Sequence, residues 1–104
     1  MNQTKLHSKQ ELLAAIISNK EVIKGFGVSN LGVFGSFSKG TFTETSDVDL
    51  LVDFFPEQKT FDNFMELSFF LEDLLGRKVE LVTLQSLSQF IGPYILNELE
   101  NVSL

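Results

Sequence analysis

The segment from Gly35 to Asp53 reads GSFSKGTFTETSDVDLLVD. A Gly-Ser pair is followed, after ten residues, by an Asp-Val-Asp that runs directly into an apolar stretch. Side chains two apart on an extended strand point to one face, roughly 6.5 Å from each other. Asp47 and Asp49 can therefore converge on metal ions held about 3.5–4 Å apart. Carboxylate oxygens are hard ligands and favour Mg²⁺ or Mn²⁺. Val48, Leu50, Val52 and Phe54 alternate with the aspartates and form an apolar set facing the other way. One face of this strand carries chemistry and the other packs a core.

Upstream, Leu31-Gly32-Val33-Phe34 reads as a short strand, and Gly35-Ser36 marks its exit into a turn or helix start. A glycine there lets phosphate approach the backbone, while the Ser36 hydroxyl and the free N–H groups of a helix start can bond phosphate oxygens. The two halves together suit a metal-complexed triphosphate. Asp-x-Asp alone is common at strand ends, and Gly-Ser alone is common in turns; the spacing and the flanking strands give the combination its weight.

Gly35-Ser36, the Lys39-Gly40 pair and Ser46-Asp47-Val48-Asp49-Leu50 resemble the signature of minimal nucleotidyltransferase domains, small members of the DNA polymerase beta superfamily. The resemblance covers nearly the whole chain. It implies an α/β fold like the polymerase beta palm, a small mixed β-sheet flanked by helices, spanning residues 1–104 as a single domain. It further implies nucleotide binding by Gly35, Ser36, Lys39 and Ser46, and a third carboxylate on a later strand. The family usually has Arg where this chain has Lys39, an exchange of a bidentate fork for a point charge of the same sign. It usually has Asp where this chain offers Glu80, in Lys78-Val79-Glu80-Leu81-Val82-Thr83.

Geometry supports Glu80 over Asp53 as that third group. Asp53 shares the face of Asp49 but lies four residues along the same strand, roughly 13 Å away. Glu80 comes from a different strand that can lie alongside, as a ligand to the metal that activates the acceptor hydroxyl or as its general base. The expected catalytic and metal-holding set is Asp47, Asp49 and Glu80, with two Mg²⁺ ions, or Mn²⁺ in their place. The bland alternative for Glu80 is a solvated strand residue beside Lys78.

At 104 residues the chain suits one domain with a modest core. With 43% apolar and 21% charged residues, the composition is that of a folded soluble protein. No apolar run approaches the ~20 residues that span a bilayer, and no signal-peptide pattern opens the chain, so a cytoplasmic protein is expected. There is no Cys, and a single histidine, His7, cannot build a zinc centre unaided. The formal charge of −6 opposes nonspecific binding to phosphate backbones, so direct nucleic-acid binding is not expected.

Ser8-Lys9-Gln10-Glu11 fits a capping box, and Leu12, Leu13, Ile16 and Ile17 form one stripe of a helix over about residues 9–24. Strands are expected near residues 30–34, 47–54 and 78–83, with a short helix from Ser36. Asp62 can cap a helix whose apolar positions Phe61, Phe64, Leu67, Leu71, Leu74 and Leu75 recur at three and four, and Gly76 ends it. Ser86 would cap a weaker helix, interrupted around Gly92-Pro93 and resumed from Tyr94 to Glu100. Phe61, Phe64, Met65, Phe69 and Phe70 cover more than one side of the central helix. Such a surface meets either the C-terminal segment or another chain, a second copy or a different protein.

The resemblance also implies a partner and an acceptor. Domains of this kind are often encoded with a small helical HEPN-domain ribonuclease, acting as the antitoxin and in some cases placing AMP on a tyrosine of the toxin. The expected activity is transfer of a nucleoside monophosphate, AMP from ATP or its counterpart from another NTP, to a hydroxyl on such a partner. A binding module with a vestigial site that inhibits its partner by occlusion is the alternative, and a small-molecule transferase is a third.

Overall fold

The computed structural model describes residues 8–86 and 92–104. His7 and the segment 87–91, where the helix capped by Ser86 was expected to run, lie outside the described residues. The chain opens on α1 (Lys9–Ser18) and α2 (Lys20–Gly25), then forms β1 (Val28–Phe34), α3 (Gly35–Lys39) and β2 (Val48–Phe54). A 3₁₀ turn at Pro56–Gln58 leads to α4 (Phe61–Leu75) and β3 (Val79–Thr83), and a second at Leu84–Ser86 follows. The described chain ends with α5 (Gly92–Glu98) and β4 (Glu100–Val102).

Among the described residues, four strands form one mixed sheet in the order β3-β2-β1-β4. The β1–β2 and β1–β4 pairs are antiparallel, and β2–β3 is parallel. A parallel neighbour requires a crossover, and α4 supplies it. The expected small mixed α/β sheet flanked by helices is what forms. The alternation read from β2 also holds: Val48, Leu50 and Val52 are fully buried and Phe54 nearly so. They pack with Leu12 and Ile16 of α1, Ile23 of α2, and the stripe Leu67, Leu71 and Leu75 of α4. Cross-strand partners share a face, so Asp49 lies with Phe34, Leu51 with Gly32 and Asp53 with Asn30 on the opposite side.

Several boundaries differ from those expected. The first helix breaks at Asn19, whose side-chain amide donates to the Ala15 carbonyl at 2.8 Å while its backbone N–H turns back to Ile16 at 3.1 Å. That competition with the helical ladder closes one helix and starts another. The break leaves Ile17 44% exposed, outside the stripe of Leu12 and Ile16. Ser8 caps α1 as expected, accepting from the Glu11 N–H. The cap of α4 is Thr60, not Asp62: its hydroxyl accepts from the Asn63 N–H at 3.1 Å. Gly76 ends α4 in the left-handed region, with φ +67°.

The C-terminal segment departs most. Among the described residues helix α5 covers Gly92–Glu98, and it stops at Glu98. The last three residues before Ser103 form β4 against the open edge of β1, in place of a helix reaching Glu100. An unpaired edge favours this over another helical turn. Val102 enters the core and Glu100 pairs with Lys9 of α1 at 2.8 Å.

Candidate active site

Asp47 stands just ahead of β2 and Asp49 is its second residue, so the pair emerges at the end of the sheet where β1 hands over to α3. Gly35 sits opposite, with φ +72°, a conformation that favours glycine. A Cβ at Gly35 would overlap the Asp49 carboxylate. The glycine is thus required twice, for its backbone angle and for the space it leaves beside the aspartate.

Glu80 lies in direct register with Asp49 across the parallel β2–β3 ladder. The expectation that this residue comes alongside from another strand therefore holds in the register. The crowding is felt at Asp49, whose carboxyl is pushed up to about 6, by burial first and then by the negative charges of Glu80, Asp47 and Glu98. Among the described residues, no three acidic or imidazole side chains close into a coordination shell. The donors gathered at this end of the sheet are all hard oxygens, and the like-charge crowding around Asp49 is of the kind a divalent cation relieves.

The loop that delivers Asp47 is held by a residue the sequence reading passed over. Arg77 is 6% exposed and directs its guanidinium into the loop. One of its terminal nitrogens donates to the carbonyls of Thr43 at 2.9 Å and Ser46 at 2.8 Å, and more weakly to Glu44 at 3.4 Å. The guanidinium also lies 5.0 Å from the ring of Phe37 and 5.8 Å from that of Phe42, which stack on each other. Ser46 completes the loop, its hydroxyl accepting from the Thr43 N–H at 2.7 Å. The structure thus gives the Ser46 side chain a loop-forming contact next to the aspartates.

Glu98 is the second residue missed. Its carboxylate accepts from the Gly35 N–H at 3.2 Å and pairs with Lys39 at 3.0 Å. The Lys39 ammonium, aided by the Gly35 N–H, holds the Glu98 carboxyl below the usual carboxylate range. The Ser38 hydroxyl donates to the Glu98 main-chain carbonyl at 2.6 Å. Ser36, half-buried in the first turn of α3, stands beside this cluster, and its carbonyl accepts from Thr41 at 2.9 Å. Asp53 remains at the far end of β2, opposite Asn30. An acidic residue at a helix C-terminus, against the helix dipole, is the faint signal that could have drawn attention to Glu98.

The pattern of the family described as "Nucleotidyltransferase domain" matches residues 11–102. The chain belongs to that family. It is 47% identical over 79 residues to "Protein adenylyltransferase MntA" of Thermococcus cleftensis, across 76% of this chain and 79% of that protein. A solved minimal nucleotidyltransferase superposes with a TM-score of 0.80 at 29% identity, covering 97% of this chain and all of that one. A chain from the complex of tri-AMPylated Shewanella oneidensis HEPN toxin with MNT antitoxin superposes with a TM-score of 0.65 at 21% identity, over 91% of this chain and 71% of that one. At that identity the likeness speaks for the fold. The nucleotidyltransferase fold generally works with divalent metal ions. No helix among the described residues is long and apolar enough to cross a membrane.

Proposed function

We propose that residues 1–104 act as one catalytic domain that transfers AMP from ATP to a hydroxyl on a small helical partner of the HEPN toxin type, in the cytoplasm. The observation that carries this reading is the apposition of Gly35 to Asp49, a phosphate-approachable backbone facing a carboxylate that leaves no room for a Cβ. The 47% identity to a protein adenylyltransferase supports the class of reaction.

In this reading the Gly35 N–H, the Ser36 hydroxyl and the Lys39 ammonium bind oxygens of the triphosphate, and Ser46 fixes the loop before Asp47. Asp47, Asp49 and Glu80 would hold two Mg²⁺ ions, with Mn²⁺ as a substitute. Bound there, the ions neutralise triphosphate charge and favour ionisation of the acceptor hydroxyl. The acceptor oxygen bonds to the α-phosphorus as the bond to the β-phosphate bridge breaks, and pyrophosphate leaves. In the alternative role, Glu80 is the general base and accepts the hydroxyl proton. The acceptor is supplied in trans. Exposed Phe61 and Phe69 on α4, 76% and 62% accessible, furnish apolar area for the partner, and the acidic chain would speed encounter with a basic one.

A second reading, inhibition of the partner by occlusion alone, draws on Glu98 occupying the donors assigned to phosphate. Incubation with ATP labelled at the α- or γ-phosphate, Mg²⁺ and the partner separates the two. Transfer of the α-label alone is expected, lost in D47N and D49N and slowed about 10²–10⁴-fold in E80Q, the scale of general-base loss. Native transfer rates in D47N would refute the assigned site. A stable complex that takes up no label would favour occlusion.

A further inference from the structure

We propose that the Glu98 side chain is an intramolecular gate on the nucleotide site, a carboxylate that sits on the phosphate donors and must be displaced before a triphosphate binds. This rests on the reading of Gly35 and Lys39 as phosphate ligands. Both donors are engaged by one carboxylate: Oε1 accepts from the Gly35 N–H at 3.2 Å and Oε2 meets Lys39 Nζ at 3.0 Å. A carboxylate is a weaker anion than a triphosphate and fills the same hydrogen-bonding role, so the two compete for one place.

The placement is not explained by the local preferences of α5. Glu98 is the last residue of that helix, where the dipole disfavours negative charge, and its charge adds to the negative charge crowding Asp49. The contacts with Gly35 and Lys39 hold it there against both. Nor is the carboxylate needed to anchor the backbone. The Ser38 hydroxyl holds the Glu98 carbonyl at 2.6 Å, Leu99 packs over Gly32, and β4 pairs with β1 directly afterwards. The side chain can therefore rotate off the cradle while the main chain stays in place. With Lys39 56% exposed and Glu98 27% exposed, the pair is open to solvent and to an incoming ligand.

A site covered for about nine-tenths of the time shows an apparent affinity about tenfold below its intrinsic value. Glu98→Gln keeps the shape and removes the charge, and Glu98→Ala removes the arm. Calorimetric titration of ATP in the presence of MgCl₂ should show both variants binding about tenfold more tightly than the native protein. Their melting temperatures should fall only slightly, by the small worth of one solvent-open ion pair, and their transfer rate should rise at low ATP and equal the native rate at saturation. Equal ATP affinity in native and variant proteins, with native transfer intact, would overturn the gate and leave the proposed activity standing. Weaker binding in the variants would overturn it too, making Glu98 part of the site itself. Absence of ATP binding in all three would defeat the assignment of the cradle and the gate with it.

Discussion

Two charged side chains reach the backbone around the aspartates from distant parts of the chain, and they do so under opposite conditions. Arg77 is buried, gives hydrogen bonds to the carbonyls of Thr43 and Ser46 and lies against the stacked rings of Phe37 and Phe42. Glu98 is partly open to solvent and receives its bonds from a glycine amide and an exposed lysine. The first set of contacts is made by a side chain that is itself buried, and its acceptors are main-chain carbonyls, which an anionic ligand cannot replace as partners of Arg77 in the loop. The second set consists of groups that a phosphate would satisfy better. Comparison of the two separates what must be rigid, the delivery of Asp47, from what must be exchangeable, the cover over Gly35 and Lys39.

Removing the buried partner should have the largest effect. R77M leaves the carbonyls of Thr43 and Ser46 without that donor, and we expect a loss of about 3 kcal/mol in unfolding free energy. Chemical denaturation measures it, and a loss below about 0.5 kcal/mol, the scale of an indifferent surface change, would erase the contrast with Glu98. G35A comes next, adding a Cβ at φ +72° against the Asp49 carboxylate. It should cost about 1–3 kcal/mol and weaken ATP binding together with transfer. A G35A protein with native ATP affinity would show that the close approach at this glycine is not part of the site.

The smallest effect is expected at Asp49, and its sign is set by the raised carboxyl. Its folded value, about 6, lies above the ordinary 3.8, so the folded state disfavours the ionised form. The penalty is absent below the ordinary value, grows as pH rises toward 6 and is complete above it. D49N should therefore be more stable than the native protein at neutral pH, by about 1 kcal/mol once solvent screening is allowed for. The two should unfold alike near about pH 4, and added Mg²⁺ should narrow the neutral-pH difference by stabilising the native carboxylate. Thermal melts across pH test this, and a D49N protein less stable than native at neutral pH would mean the aspartate is structural.

The sequence carried more of the site than of its supports. The β2 alternation suggested that Asp47 and Asp49 share one face, because strand periodicity is local; Glu80 was read as the later-strand carboxylate that the family resemblance implies, Asp53 lying too far along β2, and its register opposite Asp49 came only with the fold. The strand exit at Gly35 was legible in the sequence, whereas its left-handed backbone, φ +72°, and the close approach of Asp49 appear only in the fold. Arg77 and Glu98 were not legible, since their partners lie more than 30 and 60 residues away along the chain. Nothing in the residues around them prescribes those pairings. β4 was missed for a related reason: Glu100-Asn101-Val102 has no strand pattern of its own and is recruited by the open edge of β1. The break at Asn19 and the cap at Thr60 turned on side-chain hydrogen bonds competing over one or two residues, the scale at which boundaries are hardest to fix.

Intact-mass measurement of the partner after co-expression tests the central claim most directly. The partner purified with the native protein should carry the added mass of AMP, and the partner purified with D47N should not. A complex of native protein and partner in which the partner keeps its unmodified mass, with ATP and Mg²⁺ supplied, would contradict nucleotidyl transfer by this site.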